Sequence, residues 1–162
     1  MFIPETVDFG RLAQSTHSLL THDPTFLRTR GNGKTLAYMY LMLGEYWLGE
    51  QGNSYIYVGE NQHVSRMVGA SFAELLEQEG VELGLKRNTA VSAELIVLKD
   101  KNMRFMFVGV NRFCEQSFYA GRRASRIFFD VTPRKQHELD QLTKGDLYQA
   151  QTHFTYSGIE II

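Results

Sequence analysis

The sequence predicts an α/β fold, a mostly parallel sheet with helices on both faces and a β-hairpin insertion. Three observations predict it. Short runs rich in β-branched and aromatic residues, such as Ser54–Val58 and Arg126–Asp130, alternate with longer segments of helical spacing. A glycine-containing turn, Arg28 to Gly33, leads straight into Lys34-Thr35 and a long apolar segment. Glu94–Leu98 and Met103–Val108 flank Asp100-Lys101-Asn102, which reads as two strands and a turn.

Along the chain, Asp8 to Leu20 places Phe9, Leu12, Ala13, Leu19 and Leu20 at helical spacing. His22-Asp23-Pro24 breaks that helix, so residues 1–23 read as a helical extension and 24–162 as the domain itself. Thr25-Phe26-Leu27 is a short candidate strand. Thr35 to Leu48 is apolar nearly all round and too long for a strand, so it reads as a buried helix stopped by Gly49 and Gly52. Its Tyr38, Tyr40, Tyr46 and Trp47 are then core or interface residues rather than base-stacking platforms. Ser54–Val58 is a strand. Asn61 caps a helix that aligns Val64, Val68, Phe72, Leu75 and Leu76, with Gly80 at its far end. After the hairpin, an insertion or an edge, come the dense strand Arg126–Phe129 and its terminal Asp130. Arg134 to Leu142 is expected to be helical and Gln149 to Tyr156 a strand.

A length of 162 residues fits one domain, and folding should bury about 70% of the unfolded chain's surface. With 43% hydrophobic and 22% charged residues, a disordered tail, a fibre and a disulfide-stapled miniprotein are excluded. The single Cys114 points to a reducing compartment. Lys plus Arg number 17 against 18 Asp plus Glu, so global charge does not announce a nucleic-acid binder. No apolar run reaches 18 residues and Met1–Glu5 has no signal-peptide character, so no membrane partner and a cytoplasmic location are expected. Arg122, Arg123, Arg126, Arg134 and Lys135 form the basic cluster, which could meet DNA phosphates, meet a neighbouring subunit's nucleotide, or be a solvated edge. The five histidines show no ligand spacing.

The sharpest feature is Arg28-Thr29-Arg30-Gly31-Asn32-Gly33-Lys34-Thr35 between a strand and a helix. Gly31 and Gly33, with Asn32 between them, let backbone N–H groups turn toward phosphates. The helix start adds its positive dipole end. Lys34 can reach the β and γ oxygens of a nucleotide, and is expected to face solvent without one. The Thr35 hydroxyl can coordinate Mg²⁺. The strict pattern has Gly six residues before the Lys, where Arg28 stands; the alternative is a glycine turn that merely precedes Lys-Thr. Asp130 ends a buried apolar strand, the place for an acid that holds Mg²⁺ through water; the alternative is a turn-forming Asp before Thr132-Pro133. A hydrolase also needs a group to orient water. Val131 follows Asp130, so Glu60, just past the Ser54–Val58 strand, is the best candidate, with a solvated helix-capping role as its alternative. Glu115 is weaker.

Thr29 to Thr35 resembles the deviant phosphate loop of the large terminase subunits of tailed phages, members of the P-loop NTPase superfamily. The likeness continues through the strand Ser54–Val58, a helix with Gln62, Arg66 and Met67, the hairpin Glu94–Val110, the stretch Tyr119–Ala124, and Asp130. Thr152, Thr155 and Ser157 stand where that family has a hydroxyl-bearing strand end, its coupling motif. The resemblance implies an ATPase that binds ATP and Mg²⁺ and drives double-stranded DNA into a capsid. It implies partners in DNA, a portal or capsid protein and further copies of the chain assembled there, in a host cytoplasm. Arg30 would act in cis on the γ-phosphate, Glu60 would match the catalytic glutamate of RecA-like ATPases, and Gln14 would read adenine, as a Gln upstream of the loop does in related motors, with an exposed helical glutamine as the alternative. Val131 stands where the family carries its catalytic Glu, and no nuclease domain is expected. A nucleotide-binding regulatory or structural subunit without hydrolysis, and a RecA-like DNA-dependent ATPase, remain the alternatives.

Overall fold

The computed structural model describes residues 34–88, 93–131 and 145–162, with backbone only for 85–88, 93 and 94. The expected helices 8–20 and 134–142, the strand 25–27 and the loop residues 28–33 lie outside the described residues. So do Gln14, Arg134 and Lys135.

Helix α1 spans Lys34–Leu48 and leads through a turn to β1, Ser54–Gly59. Helix α2 spans Gln62–Gln78. Its cap is the expected one: the Asn61 side chain accepts from the Val64 N–H at 2.8 Å. Gly80 follows at φ +78°, a left-handed position that glycine takes without penalty. Three strands come next: β2 (Leu83–Asn88), β3 (Ala93–Leu98) and β4 (Arg104–Gly109). Two short helices, α3 (Val110–Phe113) and α4 (Gln116–Tyr119), precede β5, Arg126–Phe129. Helix α5 (Asp146–Tyr156) and the short β6 (Glu160–Ile161) complete the described part.

The sheet runs β2-β3-β4-β1-β5-β6. β1 pairs in parallel with β4 and β5, and β5 in parallel with β6; β2-β3 and β3-β4 are antiparallel. Three of five pairings are therefore parallel, and the expected α/β class holds. β1 is buried on both faces. Tyr55 and Tyr57 join α1 and α2 in one apolar cluster, with Phe72, Phe105, Phe107 and Phe128. Ile56 and Val58 join Phe113, Phe118, Leu147 and Phe154 of the short helices and α5 in the other. Helices thus cover both faces, as a parallel sheet requires.

The structure departs from the sequence reading in several places. Gln149–Tyr156 is helix, not strand: Leu147, Ala150 and Phe154 are buried at spacings of three and four, the period of a helix. The β-forming Tyr148, Thr152, Thr155 and Tyr156 lie on its exposed side. Thr152, Thr155 and Ser157 are consequently not at a strand end, and the Thr155 and Ser157 hydroxyls donate to the carbonyls of Gln151 and His153. The expected hairpin is present as β3 and β4, and β4 is an interior strand that carries β3 on one side and β1 on the other. β2 has no signal in the sequence pattern, since Leu83–Asn88 holds Gly84 and lacks a clean apolar alternation. Neither have α3 and α4, each a single turn.

Going from β1, the chain builds β4 on one side of it and then crosses to build β5 on the other. The carboxyl ends of these strands, with the residues that follow them, open on one edge at this switch in direction, where sheets of this kind place their ligands. The start of α2 is seated there: a Cβ on Gly109 would come within 2.6 Å of the Gln62 nitrogen. Among the described residues no helix is long and apolar enough to cross a membrane.

Candidate functional site

Lys34 and Thr35 are the first two described residues of α1, the end of the helix that carries its positive dipole. Asp130 stands one residue beyond β5, and its N–H donates to the Val58 carbonyl at 2.8 Å, extending the ladder to β1. Tyr57 and Phe128 are register partners on the α1/α2 face. By the two-residue period of a strand, Asp130 turns to that face too.

These elements converge on one carboxylate. Thr35 Oγ1 donates to Asp130 Oδ2 at 2.7 Å, and the Tyr57 hydroxyl donates to the same oxygen at 2.5 Å. Lys34 Nζ lies 3.6 Å from Oδ1, with the two side chains 8% and 7% exposed. Lys34 is thus buried rather than solvent-facing as expected, because the helix start tucks it between Asp130 and the Tyr38 ring, 6.0 Å from the ring centre. One turn into α1, the Tyr38 hydroxyl lies 2.6 Å from the Phe129 carbonyl oxygen and 3.0 Å from that of Ile162. It ties the helix to the end of β5 at the point where Asp130 leaves it.

Burial lowers the pKa of Lys34, while the charge and hydrogen bond of Asp130 and the charge of Glu60 pull it back up. Burial first, then the charge of Asp130, raises the pKa of both Tyr38 and Tyr57. Tyr57 therefore serves as a neutral donor. The half-buried Glu60 follows β1 directly, and its charge reaches Lys34.

The structure therefore brings Lys34, Thr35, Asp130 and Glu60 to one edge, while Arg30, Gly31, Asn32 and Gly33 lie outside the described residues. Glu115 is held by Arg112 at the start of α4, and the carboxylates acting on Lys34 are Asp130 and Glu60. Among the described residues the basic cluster does not form a single patch. Arg126 begins β5, at the opposite edge from Asp130, and binds Glu45 and Glu160. Arg122 lies over the Phe118 ring at 4.2 Å and donates to the Phe118 carbonyl, while Arg123 is exposed.

Sequence reasoning misses two residues here, Tyr38 and Tyr57. Tyrosines within apolar runs read as core, and both are indeed buried. The available signal is that a buried tyrosine hydroxyl must find a partner. Gln62 reads in the sequence only as part of a helix; its Oε1 accepts from the Gly109 N–H at 3.2 Å, and its Nε2 is buried with no hydrogen-bond partner among the described residues.

Thr35 and Asp130 supply hard oxygen donors, which suits Mg²⁺. Among the described residues no group of three or more His, Cys, Asp or Glu gathers to hold a metal. A cation here would depend on one hydroxyl, one carboxylate, water and its ligand's own oxygens, the usual condition of Mg²⁺ beside phosphates.

No family model and no curated protein matches the chain. Solved structures do. The large terminase of a thermophilic bacteriophage, in complex with ADP, is 14% identical over 93% of this chain and 37% of that chain, with a TM-score of 0.57. A second crystal form of the same protein gives 14% identity over 96% of this chain and 38% of that one, at 0.58. The large terminase ATPase domain of a Thermus phage is 11% identical over 82% of this chain and 55% of that one, at 0.52. The chain thus spans between about a third and just over half the length of these proteins. At such identities the likeness is one of fold, and the chain has the α/β fold of large terminase ATPase domains.

Proposed function

We propose that this chain binds ATP with Mg²⁺ at the carboxyl edge of its sheet and hydrolyses it as a motor domain of the kind that packages or translocates double-stranded DNA. One observation carries the reading: Lys34 and Thr35, at the start of a helix, meet Asp130, at the end of a buried parallel strand, within hydrogen-bond and ion-pair distance. The sequence before them is a phosphate-loop pattern, and the fold is shared with a terminase solved with ADP. In this reading Gly31, Asn32 and Gly33 supply backbone N–H groups to phosphates, and Lys34 leaves Asp130 for the β and γ oxygens. Thr35 and Asp130 hold the cation, which neutralises charge on the phosphates. Glu60 orients the attacking water and Arg30 stabilises the γ-phosphate. DNA, a portal or capsid protein and further copies of the chain are the partners that such a motor would need.

Thermal unfolding tests the binding step. ATP with Mg²⁺ should raise the Tm of the native protein by linkage. Lys34→Ala should abolish that rise, whatever it does to the ligand-free Tm. A rise of native size in Lys34→Ala overturns the assignment. Val131 after Asp130 favours a second reading, a nucleotide-binding subunit without turnover; native protein that binds ATP yet releases no phosphate with DNA present establishes it.

A further inference from the structure

Among the described residues three side-chain donors reach the Asp130 carboxylate, and they differ in what ligand binding would do to them. Lys34 and Thr35 belong to the start of α1, and the nucleotide reading takes both away: the ammonium to phosphate, the hydroxyl to the cation. Tyr57 belongs to β1, an interior strand paired on both sides, and has no ligand to go to. Its ring is fixed by edge contact with Tyr38, centroids 6.4 Å apart, and by contact with Phe107 at 5.7 Å. Its hydroxyl already reaches Oδ2 at 2.5 Å.

We infer that Tyr57 is a positioning residue for Asp130: it holds Oδ2 when Lys34 and Thr35 withdraw, and so keeps Oδ1 turned to a hydrated Mg²⁺. The inference rests on the nucleotide reading and adds a residue to it. Asp130 is almost wholly buried, so losing two of the three side-chain donors seen among the described residues would leave its carboxylate short of partners and freer to rotate. A hydroxyl on the strand next to β5 removes both problems without adding charge. Hydrogen-bond partners behind a metal-binding carboxylate typically change metal affinity by about 10- to 100-fold.

The experiment titrates Mg²⁺ at fixed ATP and reads the Tm. Tyr57→Phe removes one oxygen and keeps the ring. The Mg²⁺ concentration giving half the ATP-induced rise should increase about ten-fold, while binding of ATP without Mg²⁺ stays native. Tyr38→Phe is the control. It removes an equally buried hydroxyl that touches the Phe129 carbonyl rather than the carboxylate, so it should lower the ligand-free Tm and leave the Mg²⁺ midpoint alone. A native Mg²⁺ midpoint in Tyr57→Phe, or equal shifts in both variants, overturns the inference. If Tyr57→Phe does not fold, 3-fluorotyrosine at position 57 of the otherwise native chain replaces it. Its fluorine resonance should shift when Mg²⁺ is added to the ATP-bound protein; a resonance that Mg²⁺ leaves unmoved overturns the inference. Native protein with no response to ATP and Mg²⁺ takes down the nucleotide reading, and this inference with it.

Discussion

The two ends of the parallel strands carry similar sets of groups put to different uses. At the carboxyl edge, Lys34 meets Asp130, and Tyr57 of β1 donates to the carboxylate. At the amino edge, Arg126 meets Glu45 and Glu160, and Tyr55 of β1 donates to Glu45 at 3.0 Å. Each edge has a cation, carboxylates and a tyrosine from the same strand. They differ in burial and in attachment. Lys34 and Asp130 are almost fully buried, and their cation stands at the first described turn of α1, just after Gly31-Asn32-Gly33 in the sequence. The Arg126 side chain is 32% exposed and braces β5 against the end of α1 and against β6. A lysine is a point charge on a flexible stem that can change partners, whereas an arginine fork between two carboxylates is a fixed clamp. In the proposed nucleotide reading, the first edge opens to a ligand and the second stays closed.

The largest effect expected from breaking this contrast is catalytic. Glu60→Gln keeps size and hydrogen bonding but removes the carboxylate that the proposed function uses as base. ATP-dependent Tm shifts should remain native while phosphate release falls by about 10²-fold or more, the scale of a general base. Native turnover in Glu60→Gln would make Glu60 a bystander and move the search to Glu115 or to a residue of a partner. The amino edge should answer in the opposite sense. Arg126→Met leaves Glu45 and Glu160 without their shared cation. Stability should drop by about 1–2 kcal/mol, or about 4 °C in Tm, with the ATP-induced rise intact. A lost ATP response in Arg126→Met would break the comparison.

How much of this is legible in the sequence follows the range of the forces involved. α1, β1, α2, the β3–β4 hairpin and β5 are written in local periodicity, caps and turns, and Asn61 caps α2 as its sequence suggests. α5 reads wrongly as a strand because Tyr148, Thr152 and Tyr156 favour strands, while its burial pattern rests on three residues, Leu147, Ala150 and Phe154. There packing overrides propensity. Of the site, Lys34, Thr35 and Asp130 come from motif spacing, and Glu60 from its place after a strand. Tyr57 cannot be found that way. Its contact with Asp130 spans 73 positions and depends on β1 and β5 being neighbours, a fact of topology rather than of pattern. The buried state of Lys34 is equally out of reach, because it depends on the carboxylate that topology brings beside it.

The smallest expected effect is a pH dependence that one lysine and three tyrosines drive in opposite directions. Burial, which outweighs a lowering contact from Asn53, together with Glu45 pushes the Tyr55 hydroxyl up to about 12. A folded-state pKa above the unfolded value of 10.0 gives stability that is complete below pH 10 and lost as pH rises toward about 12. Tyr38 and Tyr57 are raised as well, so they add to the same loss. Lys34 works in the other direction. Its folded pKa lies below 10.5, so the unfolded chain holds the extra proton between the two values. The ligand-free protein therefore gains stability as pH rises through that window, and loses it again as pH falls. Urea unfolding of the ligand-free protein across the alkaline range reads both. Tyr55→Phe should flatten the loss between pH 10 and 12 by the slope of one proton, and Lys34→Met should flatten the gain below pH 10.5. An unchanged gain in Lys34→Met would mean that Lys34 is as well solvated as in the unfolded chain, and the contrast between an openable and a closed edge would lose its physical basis.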